Sequence, residues 1–178
     1  MVNMKQHKSE IQDCQVLKGR RFRKMFKKIL FCTDFSENSH YAFSYALDLA
    51  KTYKSKLFLL HVIPEPAHPE LLSIYLSPEK LEELKISQKK ELEDQFKTHY
   101  LSKMGRFKDY GVVIKQGEAF YEIIQVAKKE KVDLIVMGTH GRTGLDYILF
   151  GSTAEKVVRN SPSPVMTVRL PGKKFTMP

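Results

Sequence analysis

Five short apolar runs, each but the last followed by a helical pattern, constrain this chain more than any other feature. The runs are KKILFCT (27–33), SKLFLLHVI (55–63), YGVVIKQG (110–117), VDLIVMG (132–138) and SPVMTVRL (163–170). They are solidly apolar rather than alternating, as strands are when both faces of a parallel sheet are covered. After the first run, Ala42, Ala46, Leu49 and Tyr53 recur on one helical face, with Ser36 as N-cap. Residues 64–78 hold Pro64, Pro66, Pro69 and Pro78 and predict a loop. From residue 79 to about 104, Leu81, Leu84, Leu92, Phe96 and Met104 predict one long helix with a buried stripe. Phe120, Ile123, Ile124 and Ala127 predict a third helix, and STAEKVVRN a fourth that Pro162 and Pro164 stop before the last strand. The alternation predicts an α/β fold: an open parallel sheet with helices on both faces. With 178 residues, one domain is expected. Residues 25–170 carry every element. Residues 1–24 read as a basic extension that adds little to the fold, and residues 171–178 as a C-terminal tail.

The fourth run leads into GTHGRTGLDYILFGST (138–153), which holds four of the nine glycines. Ligands of open α/β sheets sit beyond the carboxyl ends of the strands, where strand order reverses. Gly138, Gly141, Gly151 and Ser152 stand at G-x2-G-x9-G-S. Gly138 and Gly141 let the backbone turn and approach a ligand. Gly151-Ser152 opens a helix whose N–H groups and dipole favour an anion, and the Ser152 and Thr153 hydroxyls add donors. The spacing is neither a Walker loop nor the GxGxxG fingerprint. The alternative is that the glycines only make turns while Ser152 or Thr153 caps the helix. Thr33 and Asp34 follow the first strand; Asp34 suits a ribose or base, or simply helix entry. The Val62 backbone suits an adenine edge, and His140 a phosphate. The six histidines show no metal-ligand spacing, so no protein metal site is expected, and no catalytic triad can be assembled.

The net charge is +10, of which residues 1–24 carry +5 (seven Lys and Arg against Glu10 and Asp13). The remaining cations read as dispersed over helix surfaces, and no nucleic-acid motif accompanies KGRRFRK, so nucleic acid is not the expected partner. No apolar run approaches the roughly 18 residues of a membrane span. There is no secretory h-region at the N-terminus. A cytoplasmic protein is expected, with Cys14 and Cys32 as separate thiols.

Residues 25–170 resemble the universal stress protein family (UspA-like) in KKILFCTDFSENSHYAFSYALDLA, in LFLLHVI and in the stretch from VDLIVMG to SPVMTV. The complete G-x2-G-x9-G-S is similar to the motif of the family's ATP-binding subgroup. The resemblance implies a Rossmann-like, adenine nucleotide alpha hydrolase-like sheet of order 3-2-1-4-5. It implies Asp34 at ribose or adenine and the Val62 backbone at adenine. It places Met137 to Arg142 along the nucleotide, with Gly151, Ser152 and Thr153 at phosphates. Cys32 stands where the family often has proline. The implied ligand is ATP, or ADP or AMP, with Mg²⁺ as an optional companion. The implied assembly is a homodimer pairing 164–170 with its twofold mate, consistent with an apolar edge strand.

Two readings follow. One is a stress-response binding module that holds ATP as a regulatory ligand. The other is a slow ATPase or nucleotidyl-transferring enzyme using the same crevice, with Arg142 supplying charge. Binding is preferred, because no Walker lysine, carboxylate pair or water-orienting residue is present. A weaker third is a nucleic-acid accessory factor acting through residues 18–24.

Overall fold

The computed structural model describes residues 26–66, 74–140 and 151–172. Its elements are β1 (Lys28–Thr33), α1 (Glu37–Tyr53), β2 (Lys56–Ile63), α2 (Pro78–His99), a 3-10 turn (Leu101–Lys103), β3 (Tyr110–Gln116), α3 (Ala119–Glu130), β4 (Leu134–Gly138), α4 (Ser152–Asn160) and β5 (Val165–Val168). The strands form one sheet of order β3-β2-β1-β4-β5, parallel at every pairing. This is the expected fold. β1 lies between β2 and β4, so the chain reverses direction across the sheet at the β1/β4 boundary.

Strand parity divides the core. Ile29 and Phe31 of β1 face Phe43, Phe96 and Tyr100 from the α1 and α2 side. Leu30 and Cys32 face Ile123, Ala127 and Val157 from the α3 and α4 side. Each such side chain, fully buried, contributes about 1.5–3 kcal/mol. Ser36 caps α1, its hydroxyl accepting from the Ser39 N–H. Lys54 and Lys131 end α1 and α3 in the left-handed conformation, at φ 51° and 53°.

Several sequence expectations need correction. α2 stops at His99 rather than near 104, because Tyr100 leaves helical geometry to turn its ring fully into the core. There it packs on Phe31 and Phe43, and its hydroxyl bonds Thr33. Only Leu92 and Phe96 of α2 are buried; Leu84 is 49% exposed and Leu81 half-buried. A 22-residue helix is about 33 Å long. An eight-residue strand is about 26 Å long, so the helix outruns the sheet. On α1, Phe43, Leu47 and Ala50 join Ala42 and Ala46 inside, while Leu49 and Tyr53 sit at the margin. β3 is not covered on both faces: it is an edge strand, with Val112 41% and Ile114 37% exposed.

At the start of α1, the His40 ring stacks on His99 at 4.2 Å, and its Nε2 is buried without a hydrogen-bond partner. Burial, then His99 and Lys103, lower the His40 pKa against the opposing pull of Asp34 and Glu37. A histidine depressed in the folded state stabilises the fold fully above the unfolded value of about 6.5 and loses that contribution as pH falls below it. Stability measured by urea unfolding is therefore expected to drop between pH 7.5 and 5.5, and to drop less in His40→Gln. An equal fall in both proteins would contradict this assignment.

Candidate functional site

The carboxyl ends of β1, β2 and β4 open into a cavity of about 390 Å³, within the size range of small-molecule sites. β1 contributes Cys32 and Thr33, followed by Asp34; β2 contributes Val62, followed by Pro64. Met137 to His140 arrive from β4, and Gly151 to Ala154 from the start of α4. Of the residues expected at a site, Thr33, Asp34, Val62, Met137, Gly138, His140, Gly151, Ser152 and Thr153 all line this one cavity. Gly141 and Arg142 lie outside the described residues.

Each part has a local cause. Asp34 Oδ1 accepts from the Ser36 N–H at 3.1 Å and its hydroxyl at 2.6 Å. Asp34 therefore organises helix entry and lines the cavity at once. The Thr33 hydroxyl faces the other way: it bonds Ser39 and Tyr100 and accepts from the Phe35 N–H. Burial pushes the Tyr100 hydroxyl up to about 12, so it stays protonated at the centre of this network. The Ile63 carbonyl accepts from Gly117 N on the β3 side. Successive strand residues turn their backbone groups to opposite edges, so those of Val62 point toward β1, whose pairing with β2 ends at Thr33 and His61.

Gly151 is the N-cap of α4 and no side chain caps that helix. The expected alternative, capping by Ser152 or Thr153, does not occur. The first-turn N–H groups have no partner within the helix and sit at the cavity wall. The Gly151 N–H bonds the Thr139 carbonyl at 2.8 Å, which ties the start of α4 to the end of β4. Thr139 also bonds His140 Nδ1 through its hydroxyl at 3.0 Å.

Gly138 has a packing reason to be small besides the expected one. A Cβ there would lie 3.0 Å from Asn38 Cβ and 3.1 Å from the Asn38 carbonyl carbon. The glycine admits the backbone of α1 against β4. Cys32 is 7% exposed, and burial pushes its thiol well above the usual range, so it meets the cavity as a neutral group.

Sequence reasoning missed Ser39, Leu60, Pro64, Ala119, Ile123 and Ala154, which also line the cavity. Leu60 and Ile123 read only as core, whereas Thr139 falls within the expected stretch from Met137 to Arg142. Ala119 arrives because Gly117, at φ 145°, turns the chain from β3 into α3. Among the described residues no three His, Cys, Asp or Glu side chains gather as a metal site, and no helix is long and apolar enough to cross a membrane.

The chain is 35% identical over 158 residues to Universal stress protein MJ0531 of Methanocaldococcus jannaschii, covering 84% of this chain and 86% of that one. It is 33% identical over 155 residues to Universal stress protein MJ0577 of the same organism, covering 82% and 96%. A solved structure of MJ0577 superposes with a TM-score of 0.66 at 35% identity, covering 82% of this chain and 97% of that one. The UspA structure from Lactobacillus plantarum superposes at 0.56 with 26% identity, covering 80% and 97%. The sequence model of the universal stress protein family matches residues 25–169. With the 3-2-1-4-5 sheet and this coverage, the chain belongs to the universal stress protein family.

Proposed function

We propose that this protein is an adenine-nucleotide-binding universal stress protein of the ATP-binding subgroup, and that it acts as a binding module in the stress response. The observation that carries the reading is the uncapped start of α4, which meets Asp34 and the Val62 backbone across one cavity. A helix N-terminus without a capping side chain offers N–H donors and a positive dipole end to phosphate. Ser152 and Thr153 add hydroxyls beside them. At the other side, Asp34 suits a ribose hydroxyl, and the Val62 N–H and C=O suit the donor and acceptor edge of adenine. The apolar floor of Cys32, Leu60, Met137 and Ile123 suits a planar base. The motif's Gly141 and Arg142 belong to the same proposal on sequence grounds, with ATP preferred over ADP and AMP and Mg²⁺ accompanying the phosphates. The cytoplasm is the proposed compartment, with residues 25–170 as the functional unit. The test is mass spectrometry of small molecules released on denaturing freshly purified protein. Adenine nucleotide in stoichiometric amount supports the reading; a different ligand class in its place overturns it.

The proposal includes a homodimer through β5, which is an edge strand. The Pro164 and Val168 carbonyls accept from β4 and its loop, so Val165 and Thr167 turn their backbone groups outward. Thr167→Pro removes an outward N–H while sparing the ladder to β4. Light scattering is expected to give a dimer for the wild type and a monomer for Thr167→Pro. A monomeric wild type at high micromolar concentration would contradict the proposal.

A further inference from the structure

The edge of the sheet opposite the cavity gathers cations that are far apart in sequence. Lys108, Lys56, Lys27 and Lys131 each stand at or just before the start of β3, β2, β1 and β4, and all four are exposed. Those strands are successive neighbours in the sheet. Backbone bonds fix the adjacency: Lys56 N to Lys27 O, Leu57 N to Asp109 O, and Asp133 N to Lys28 O. Neighbouring strands lie about 4.8 Å apart, so the four strand starts that carry these cations span on the order of 14 Å. Beside it, Lys51, Lys54, Arg106 and Lys108 line one depression of about 470 Å³. Asp109 lines the same depression, so its four cations outnumber one acid there, and Asp133 is engaged by the backbone N–H groups of Lys27 and Lys28 at 2.8 and 2.9 Å.

Helix dipoles favour cations at helix C-termini, which accounts for Lys51, Lys128 and Lys129. They do not account for Lys27, Lys56, Arg106 and Lys108, which stand in loops or at strand starts. Nor does local geometry favour Lys54 and Lys131. Both occupy the left-handed position after a helix, where glycine is ordinarily found and a side chain costs about 1–2 kcal/mol.

We propose that this base is a docking surface for the phosphate backbone of duplex nucleic acid, independent of base sequence. The duplex carries one charge per about 1.7 Å of axis, so a row of this length meets several phosphates. No described large apolar side chain is exposed on this edge. Phe107 lines the depression but is half-buried, so the edge offers no exposed aromatic platform of the kind single strands use and no apolar anchor to insert into lipid. Lysines dispersed in sequence converge in space along this edge. The site stands apart from the nucleotide cavity and does not depend on it.

The test is fluorescence anisotropy of a labelled DNA duplex with the full chain, between about 50 and 200 mM salt. The wild type is expected to bind unrelated duplexes alike, with a log–log salt slope of about −4 or steeper. A variant carrying Lys54→Gly, Lys131→Gly, Arg106→Gln and Lys108→Gln is expected to flatten that slope by about two or more. Its melting temperature should be no lower than wild type, because both glycines suit positive φ, so lost binding is not lost folding. Residues 1–24 are present in both proteins, so the difference reports the base alone. Absent duplex binding, an unchanged slope in the variant, or binding to phosphatidylserine vesicles in preference to duplex would each overturn the proposal.

Discussion

Gly138→Val lowers the melting temperature by roughly 6–12 °C, taking about 3 kcal/mol of overpacking and 2–4 °C per kcal/mol for a domain of this size. The Cβ alone would press against Asn38 at 3.0 Å, on backbone as well as side chain. Two further methyl groups cannot be accommodated unless α1 moves off β4. The contrast is Gly151→Ala. Gly151 has φ −65° and ψ 152°, which any residue adopts, so alanine there should cost no more than about 1 kcal/mol. Two glycines of one motif thus have different physical reasons. Equal effects at both positions, measured by thermal melts, would show that the packing account of Gly138 is wrong.

The second large effect separates binding from folding. Ser152 is the first residue of α4 and is exposed at the cavity wall. Ser152→Asp places a carboxylate where the dipole favours one, so stability should hold or rise by about 0.3–1 kcal/mol. The same carboxylate would stand where nucleotide phosphate is proposed. Like charges about 5 Å apart at an effective dielectric near 20 repel by about 3 kcal/mol. Affinity for ATP should therefore fall roughly 100-fold, while uncharged Ser152→Asn stays near wild type. If Ser152→Asp binds ATP as tightly as wild type, the phosphates do not sit at this helix start.

Much of the fold was legible because the signals were local and repeated. The apolar runs marked β1, β2 and β4 within a residue or two, and Ser36 announced α1. What was not legible depended on partners distant in sequence. Whether Leu84 is buried depends on how far α2 overshoots the sheet, and its own spacing cannot report that. The exposure of Val112 and Ile114 depends on β3 being an edge, which only strand order decides. Tyr100 ended α2 early because Phe31, Phe43 and Thr33 provided a better place for it than another helical turn.

The candidate site was legible in a similar measure. Asp34, Val62, His140 and Ser152 come from four separate segments, and strand ends carry them to one cavity. The motif located the α4 start, but the packing of Gly138 was not legible, since Asn38 lies a hundred residues earlier in the chain. Thr33 lines the cavity, and its bonds to Ser39 and Tyr100 were not legible because Tyr100 lies 67 residues away. The basic base of the sheet was invisible for the same reason: four lysines become neighbours only when four strands align.

Equilibrium dialysis of radiolabelled ATP against the wild-type protein, with Ser152→Asp beside it, tests the central claim most directly because it needs no heat signal and no turnover. Saturable binding at one site per chain is expected, reduced about 100-fold in Ser152→Asp with its fold intact. Absence of saturable binding by nucleotide-free wild type up to about 1 mM ATP, a limit corresponding to only about −4 kcal/mol, would contradict it.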